Sequence, residues 1–441
     1  MKHVLILGAG RVARPCVQYL QKYEWLKLTV VEAVRESLAR VTGYHPRTTA
    51  LNQILPQDLA GFIASQKADL VINLLPAESI NQVAPACLKA SANLVHPVYV
   101  DPAVKAMEPQ VKEAGLSWMF ELGVDPGIDH MSAAKSINAI HAEGGRVESY
   151  RSICGAIPSA EANTNPWGYK LSWAPESLIG ASRRTASFMM DGKLVEWLDG
   201  VTYEHAFLEE VEGLGWFEVY ANADSLPYLE TYGIPEATTI FRATFRYVGW
   251  SETIVAMNAL GLFSQEREKL EGLTFRAFLA KRCGAADPPG AEAALCAKLG
   301  LRPASAIFLR LKWLGLFDDR PIPASCGCSR DLVRLLFGER LYYRPEERDL
   351  VVLKDEFVAF YPATSKRRRI TSTLIDFGIP NGDSSIARTT GLPPAIVARL
   401  FLEGRIPTTG LVMPTLPEVY GPCLAELESE GIRLQEATVE I

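Results

Sequence analysis

The run His3-Val-Leu-Ile-Leu7 has the character of a buried strand and breaks at once into Gly8-Ala9-Gly10-Arg11-Val12-Ala13. Pro15-Cys-Val-Gln-Tyr-Leu20 follows with helical spacing. Strand, glycine turn and helix in this order predict a dinucleotide-binding Rossmann unit. Gly8 permits the tight turn, Gly10 lets backbone N–H groups approach a pyrophosphate, and Ala13 keeps the helix close to the sheet. The helix start, with Arg11 and Val12, turns its partial positive charge toward phosphate. Gly8, Ala9, Gly10, Arg11 and Val12 are therefore cofactor candidates. The plainer alternative is a structural turn that binds nothing, and the strand–turn–helix context speaks against it.

A second strand, Leu26 to Val31, ends in Glu32, about 20 positions beyond the turn, where an acidic residue accepts hydrogen bonds from the adenosine ribose. A carboxylate there repels the 2′-phosphate of NADP, so the cofactor reading is NAD; Arg35, close behind, keeps NADP open. Further strands are expected at Ala68 to Leu75, ending at Pro76, and at Ala92 to Val95, with a helix from Ile80 to Ala90 between them. Such alternation predicts a doubly wound parallel sheet that binds ligands at the carboxyl ends of its strands. Leu75, Pro76, Val98, Tyr99 and Val100 lie at those ends, and Asn52 is counted with them as a cofactor contact.

A chain of 441 residues exceeds one compact core, so two or three domains are expected. With 48% hydrophobic and 22% charged residues it has the composition of a soluble globular enzyme. A net charge of -6 argues against nucleic acid or an anionic membrane surface as partner. The basic run Lys366-Arg367-Arg368-Arg369 reads as a solvated loop or strand edge. The first residues lack the cleavage site of a signal peptide, and no stretch approaches the roughly 18 apolar residues of a membrane span. The eight cysteines are scattered, and Cys326-Gly-Cys328 without nearby histidines is a poor zinc signal. Reduced thiols in a cytoplasmic protein and no bound metal are the expectation.

Beyond Phe120 the sequence becomes specific. Glu121-Leu-Gly-Val-Asp125-Pro-Gly-Ile-Asp129-His130-Met131 resembles the signature of the glutamate-forming saccharopine dehydrogenases. So do Ser149 to Pro158 around Cys154-Gly155, Asn165 to Trp173, Asn222-Ala-Asp224-Ser225, and Phe241 to Tyr247. Gly382 to Ser385 and Thr408 to Pro414 extend the likeness over nearly the whole chain, most weakly from Ser264 to Glu347. The resemblance implies an α/β protein: a Rossmann domain completed by the C-terminal segment, a mixed α+β substrate domain and a small helical insertion. The corresponding division is 1–124 with 382–441, 125–263 with 348–381 (substrate binding and dimerisation), and 264–347. Local patterning agrees: Phe275 to Leu314 is helical, Arg348 to Leu353 returns to a strand, and Ser385 to Leu400 reads as helical segments broken at Gly391-Leu-Pro-Pro394.

The reaction implied converts saccharopine, water and NAD(P)+ to L-glutamate, 2-aminoadipate 6-semialdehyde and the reduced cofactor, by a homodimer. A secondary amine gives up a hydride and the imine is hydrolysed. Asp125 resembles an aspartate that touches both substrate and cofactor; alone, Asp-Pro-Gly is also good turn chemistry. Tyr99 matches a family tyrosine suited to a proton relay, or is a packed aromatic. Cys154 is a candidate acid–base beside Gly155, although a small core thiol is the simpler account. Asp129 reads as a helix cap, and His130 and His96 as structural. Trp173, Thr244, Phe245 and Arg246 match substrate-binding positions, along with Val98, Tyr99 and Asp125. Arg246, with help from Arg242, suits a substrate that carries carboxylates.

One departure stands out. The family pattern reads Asn-Arg-Asp-Ser, and its arginine binds a substrate carboxylate; this chain has Ala223 there. Ala174-Pro175-Glu176 also differs from the usual residues. The expectation is an altered substrate or a replacement cation at Arg183 or Arg184. The competing readings are a dehydrogenase of another carboxylated secondary amine, such as carboxynorspermidine, and a nucleotide sensor without turnover.

Overall fold

The computed structural model describes residues 1–173 and 175–441, the Ser177 side chain excepted. It divides into two compact units, Met1–Val147 with Asp355–Ile441, and Glu148–Lys354.

In the first unit, β1 (Lys2–Leu7), β2 (Leu26–Glu32), β3 (Thr48–Asn52), β4 (Leu70–Asn73), β5 (Asn93–Val95) and β6 (Ser117–Met119) form a parallel sheet. Its order is β6-β5-β4-β1-β2-β3, and the C-terminal strand Gly410–Val412 pairs in parallel outside β6. Val4 to Leu7 and Leu70 to Ile72 are fully buried, as central strands covered on both faces must be. β3 is the exposed edge strand, and its polar, weakly apolar sequence gave no signal of it. The helix Ala13–Gln21 follows the glycine turn.

The helix Ser385–Leu402 runs unbroken through Gly391, Pro393 and Pro394, contrary to the break expected there. Internal prolines cost a helix about 3 kcal/mol or more. Here Gly391 to Leu400 are all buried, and a Cβ at Gly391 would lie 2.2 Å from the Val12 carbonyl oxygen. Close packing of the two helices outweighs local propensity. The run Lys366 to Arg369 opens the strand Lys366–Phe377, where Lys366 and Arg368 pair with Glu440 and Glu143.

The second unit carries the strands Phe207–Val211, Gly215–Ala221, Thr239–Arg246 and Arg146–Pro158 as neighbours in that order, the last pair parallel. A hairpin, Ala186–Met190 and Lys193–Trp197, turns on Asp191-Gly192 with both φ positive. The helices Phe275–Cys283, Ala291–Leu299, Ala306–Leu314 and Ser329–Arg340 pack around a core that includes Trp167, Trp250, Phe275, Leu311 and Phe337. All eight cysteines are free, and no metal-binding cluster and no helix able to cross a membrane occur among the described residues.

Candidate active site

Because β1 to β6 are parallel, their carboxyl ends share one edge, where the sequence places Gly8, Glu32, Asn52, Leu75, Pro76 and the segment 98–100. Gly8 has φ +97, and a Cβ on it would meet the Leu74 carbonyl carbon at 3.0 Å, so the turn needs glycine. A Cβ on Gly10 would meet nothing within 4 Å. That open space beside the helix start fits a pyrophosphate. At the end of β2, Glu32 Oε2 accepts the Ala9 N–H at 2.9 Å and Oε1 accepts the Val34 N–H at 2.9 Å. Asn52 donates to the carbonyls of Glu32 and Ala33 at 3.0 and 2.8 Å, which fixes the turn that presents Glu32. The Leu75 N–H reaches Asn73 Oδ1 at 3.3 Å.

His96 is fully buried with Nδ1 2.9 Å from the Asn73 carbonyl oxygen. Burial pushes its pKa down to about 4, so it stays neutral and props the end of β4. Three residues on, the Tyr99 hydroxyl donates to Asp125 Oδ1 at 2.7 Å. Glu121 brackets Tyr99: its N–H donates to the Val98 carbonyl at 3.2 Å, and its Oε1 accepts the Val100 N–H at 3.1 Å. Glu121 Oε2 lies 2.7 Å from His130 Nε2 in buried surroundings. The helix Ile128–Ala142 starts one residue before Asp129, which takes the N–H groups of Gly127 and His130 on Oδ1 at 2.6 and 2.8 Å. Asp129 thus ties the helix start from within its first turn.

In the second unit the register sets Cys154, Thr244 and Tyr220 side by side on adjacent strands. Thr244 and Arg246 share a strand face and Phe245 points the other way. Phe245 is fully buried against Phe217; its carbonyl, rather than its ring, meets Arg246, accepting from Nη1 at 2.8 Å. The Arg246 guanidinium lies over the rings of Tyr169, Trp250 and Tyr220, at 4.9, 5.5 and 5.9 Å from their centroids. It is buried, and among the described residues it has no carboxylate partner and its Nε has no hydrogen-bond partner. Burial works against its charge, but a guanidinium does not lose its proton inside a protein, so the group stays cationic. Trp173 joins through its indole N–H, 2.7 Å from the Tyr169 hydroxyl. Arg242 instead stacks on Tyr228 at 4.4 Å. Cys154 is half-buried. Ala174 lies outside the described residues.

The candidates thus fall into two groups, one in each unit. Sequence reasoning missed the rings of Tyr169, Tyr203, Tyr220 and Trp250, which come from separate stretches of chain. It also passed over Glu121, although a glutamate at the end of a parallel strand was there to be read.

Comparison with known proteins gives one family. Residues 4–119 match the model of the saccharopine dehydrogenase NADP binding domain, and residues 123–432 that of the saccharopine dehydrogenase C-terminal domain. A mitochondrial alpha-aminoadipic semialdehyde synthase of Bos taurus is 33% identical over 98% of the chain, which spans only 47% of that relative. The chain spans about half the length of the first curated relatives it matches. A saccharopine dehydrogenase (NADP+, L-glutamate-forming) of Schizosaccharomyces pombe is 32% identical, with 100% of both chains covered. The structure of the apo L-Glu-forming saccharopine dehydrogenase of Saccharomyces cerevisiae superposes with a TM-score of 0.90 at 31% identity, again over 100% of both chains.

Proposed function

The chain belongs to the saccharopine dehydrogenase family, and we propose that it oxidises saccharopine with a nicotinamide nucleotide, releasing L-glutamate and 2-aminoadipate 6-semialdehyde. The observation that carries this reading is Arg246, a buried cation in an aromatic box with, among the described residues, an unsatisfied Nε and no acid opposite it. Leaving a charge so is costly unless a ligand carboxylate completes it.

When bound, the nicotinamide supplies the hydride acceptor. The protein's share is binding, orientation and proton handling. Gly8, Ala9, Gly10, Arg11 and Val12 hold the pyrophosphate, and Glu32, presented by Asn52, holds the adenosine ribose. Leu75, Pro76, Val98, Tyr99 and Val100 line the ring end. Thr244, Trp173 and Arg246 hold the substrate. As a hydride leaves the carbon of the secondary amine, the hydrogen-bonded pair Tyr99–Asp125 takes the proton from nitrogen or from the incoming water. Water adds to the imine carbon, the C–N bond breaks, and glutamate leaves with the nitrogen. Cys154 is the second acid–base candidate, beside Thr244 in the register.

The cofactor that fits the edge better is NAD. Both Glu32 oxygens are held by backbone N–H groups, of Ala9 in the glycine turn after β1 and of Val34 after β2, which keeps the carboxylate where a 2′-phosphate would lie. Arg35, exposed nearby, leaves NADP usable. A homodimer, a cytoplasmic location and the division into a Rossmann domain (1–124, 382–441), a substrate domain (125–263, 348–381) and a helical domain (264–347) complete the proposal.

The test is nicotinamide reduction by the purified protein with saccharopine. Robust turnover with glutamate released supports the reading. Faster turnover of carboxynorspermidine would favour the alternative substrate, for which Ala223 speaks; nucleotide binding without turnover of any amine would make it a sensor.

A further inference from the structure

Arg183 and Arg184 are adjacent, yet they meet different fates. Arg183 forms a fork with Asp199, Nε to Oδ1 at 2.8 Å and Nη2 to Oδ2 at 2.5 Å. The backbone of Arg184 is pinned, its N–H donating to the Ala181 carbonyl at 3.1 Å and its carbonyl accepting from Gly200 at 3.2 Å. Its guanidinium meets no carboxylate among the described residues; Nη1 lies 3.5 Å from Asn222 Oδ1. Asn222 is two residues past Tyr220, a wall of the Arg246 box. Its N–H donates to the Arg242 carbonyl at 2.9 Å, and the next carbonyl, of Ala223, accepts from Ser187 at 3.1 Å. Ala223 offers only a methyl group at this spot. Asp224, the nearest acid in sequence, turns Oδ1 back to the Leu226 N–H at 3.0 Å.

A short aromatic wall connects this cation to the buried one. Tyr203 lies against Tyr220 with ring centroids 4.5 Å apart, and Tyr220 lies under Arg246. Burial pushes the Tyr203 hydroxyl well up, and Arg246 and Arg184 both draw it back, so both guanidiniums are within electrostatic reach of one ring. Two cations without acids flank one pair of tyrosines, one dry and one wet.

We infer that Arg184 is a second carboxylate-binding residue, and that the second unit takes a substrate through two carboxylates, one on Arg246 and one on Arg184. The inference rests on the reading above and makes Arg184, rather than Arg183, the cation that stands in for a side chain at position 223. A charge-assisted contact of this kind supports about a tenfold difference in affinity.

The experiment compares Arg184→Ala, Arg184→Lys, Arg183→Ala and the double variant Arg184→Ala/Ala223→Arg with wild type in the full chain. Expected for Arg184→Ala is a KM for saccharopine raised about tenfold or more, with kcat within about threefold and NADH affinity by fluorescence unchanged. Lysine should fall between, Arg183→Ala should match wild type, and the double variant should recover part of the loss. An unchanged KM in Arg184→Ala, or an equal fall in NADH affinity, overturns the assignment. If wild type turns over no saccharopine, the functional reading fails, and titration calorimetry with saccharopine decides for Arg184 separately. Weaker binding to Arg184→Ala sustains it, whereas equal or absent binding rejects it.

Discussion

The nucleotide edge of the first unit and the arginine box of the second solve opposite problems. At the edge the charge is already met by the protein: two backbone N–H groups hold Glu32, and Asn52 fixes the turn beneath it. In the box, Arg246 is sunk among three rings with one carbonyl for company. Each cation–π contact is worth about 2 kcal/mol when desolvated, less than a buried charge loses on leaving water. The first region is balanced before a ligand arrives; on the proposed reading, the second is balanced only by its ligand. A site of the second kind trades stability for affinity, and that difference can be tested.

The largest effect is expected at Arg246. Arg246→Met should lower kcat/KM for saccharopine by about a hundredfold or more, since a charge-assisted contact is lost where water is excluded. NADH affinity should stay at the wild-type value, and the melting temperature should hold or rise, because an apolar side chain replaces an uncompensated charge. A clear loss of thermal stability would show that the aromatic box balances the charge without a ligand, and the contrast between the regions would collapse.

Next comes acid sensitivity of the edge. The folded pKa of His96, about 4, lies below its ordinary 6.5, so protons favour the unfolded chain. The neutral imidazole contributes fully above pH 6.5, and stability falls as the pH drops from there toward 4. The loss reaches about 3 kcal/mol once both values are passed. Urea unfolding at several pH values should show this slope, and His96→Phe should flatten it. An identical slope in the variant would assign the acid loss to other groups.

Smaller again is the cofactor preference. Glu32→Ser should shift the NADH to NADPH ratio of dissociation constants about tenfold toward NADPH, roughly one unfavourable charge contact. Fluorescence titration reads this without turnover. If wild type already binds NADPH as tightly as NADH, Arg35 overrides Glu32 and the carboxylate is a turn clamp only.

The two regions also differ in how far they could be read from sequence. Gly8, Glu32, Leu75 and Tyr99 each sit within a few residues of a strand end, so a local pattern of strand, turn and helix locates them. The rings around Arg246 come from positions 169, 203, 220 and 250, and no local period brings these together; only sheet register and packing do. Family likeness reached Arg246 and Trp173, but not the rings around them. Local rules misled at Pro393 and Pro394, where burial along the whole helix overrides the proline penalty. β3 escaped notice because an edge strand needs no apolar alternation.

Phe245 gives the smallest effect and the sharpest distinction. It lies in the motif between two residues that share a face, so strand alternation sends its ring to the opposite side, against Phe217. Gly155 makes room for the Phe245 backbone and Cβ, since a Cβ there would meet Phe245 Cβ at 2.6 Å. Phe245→Leu should therefore cost about 1 kcal/mol of stability through imperfect filling. KM for saccharopine should stay within twofold of wild type, about the resolution of the assay. A raised KM at unchanged stability would mean that the ring itself meets the substrate, and the division of this strand into a ligand face and a core face would be wrong.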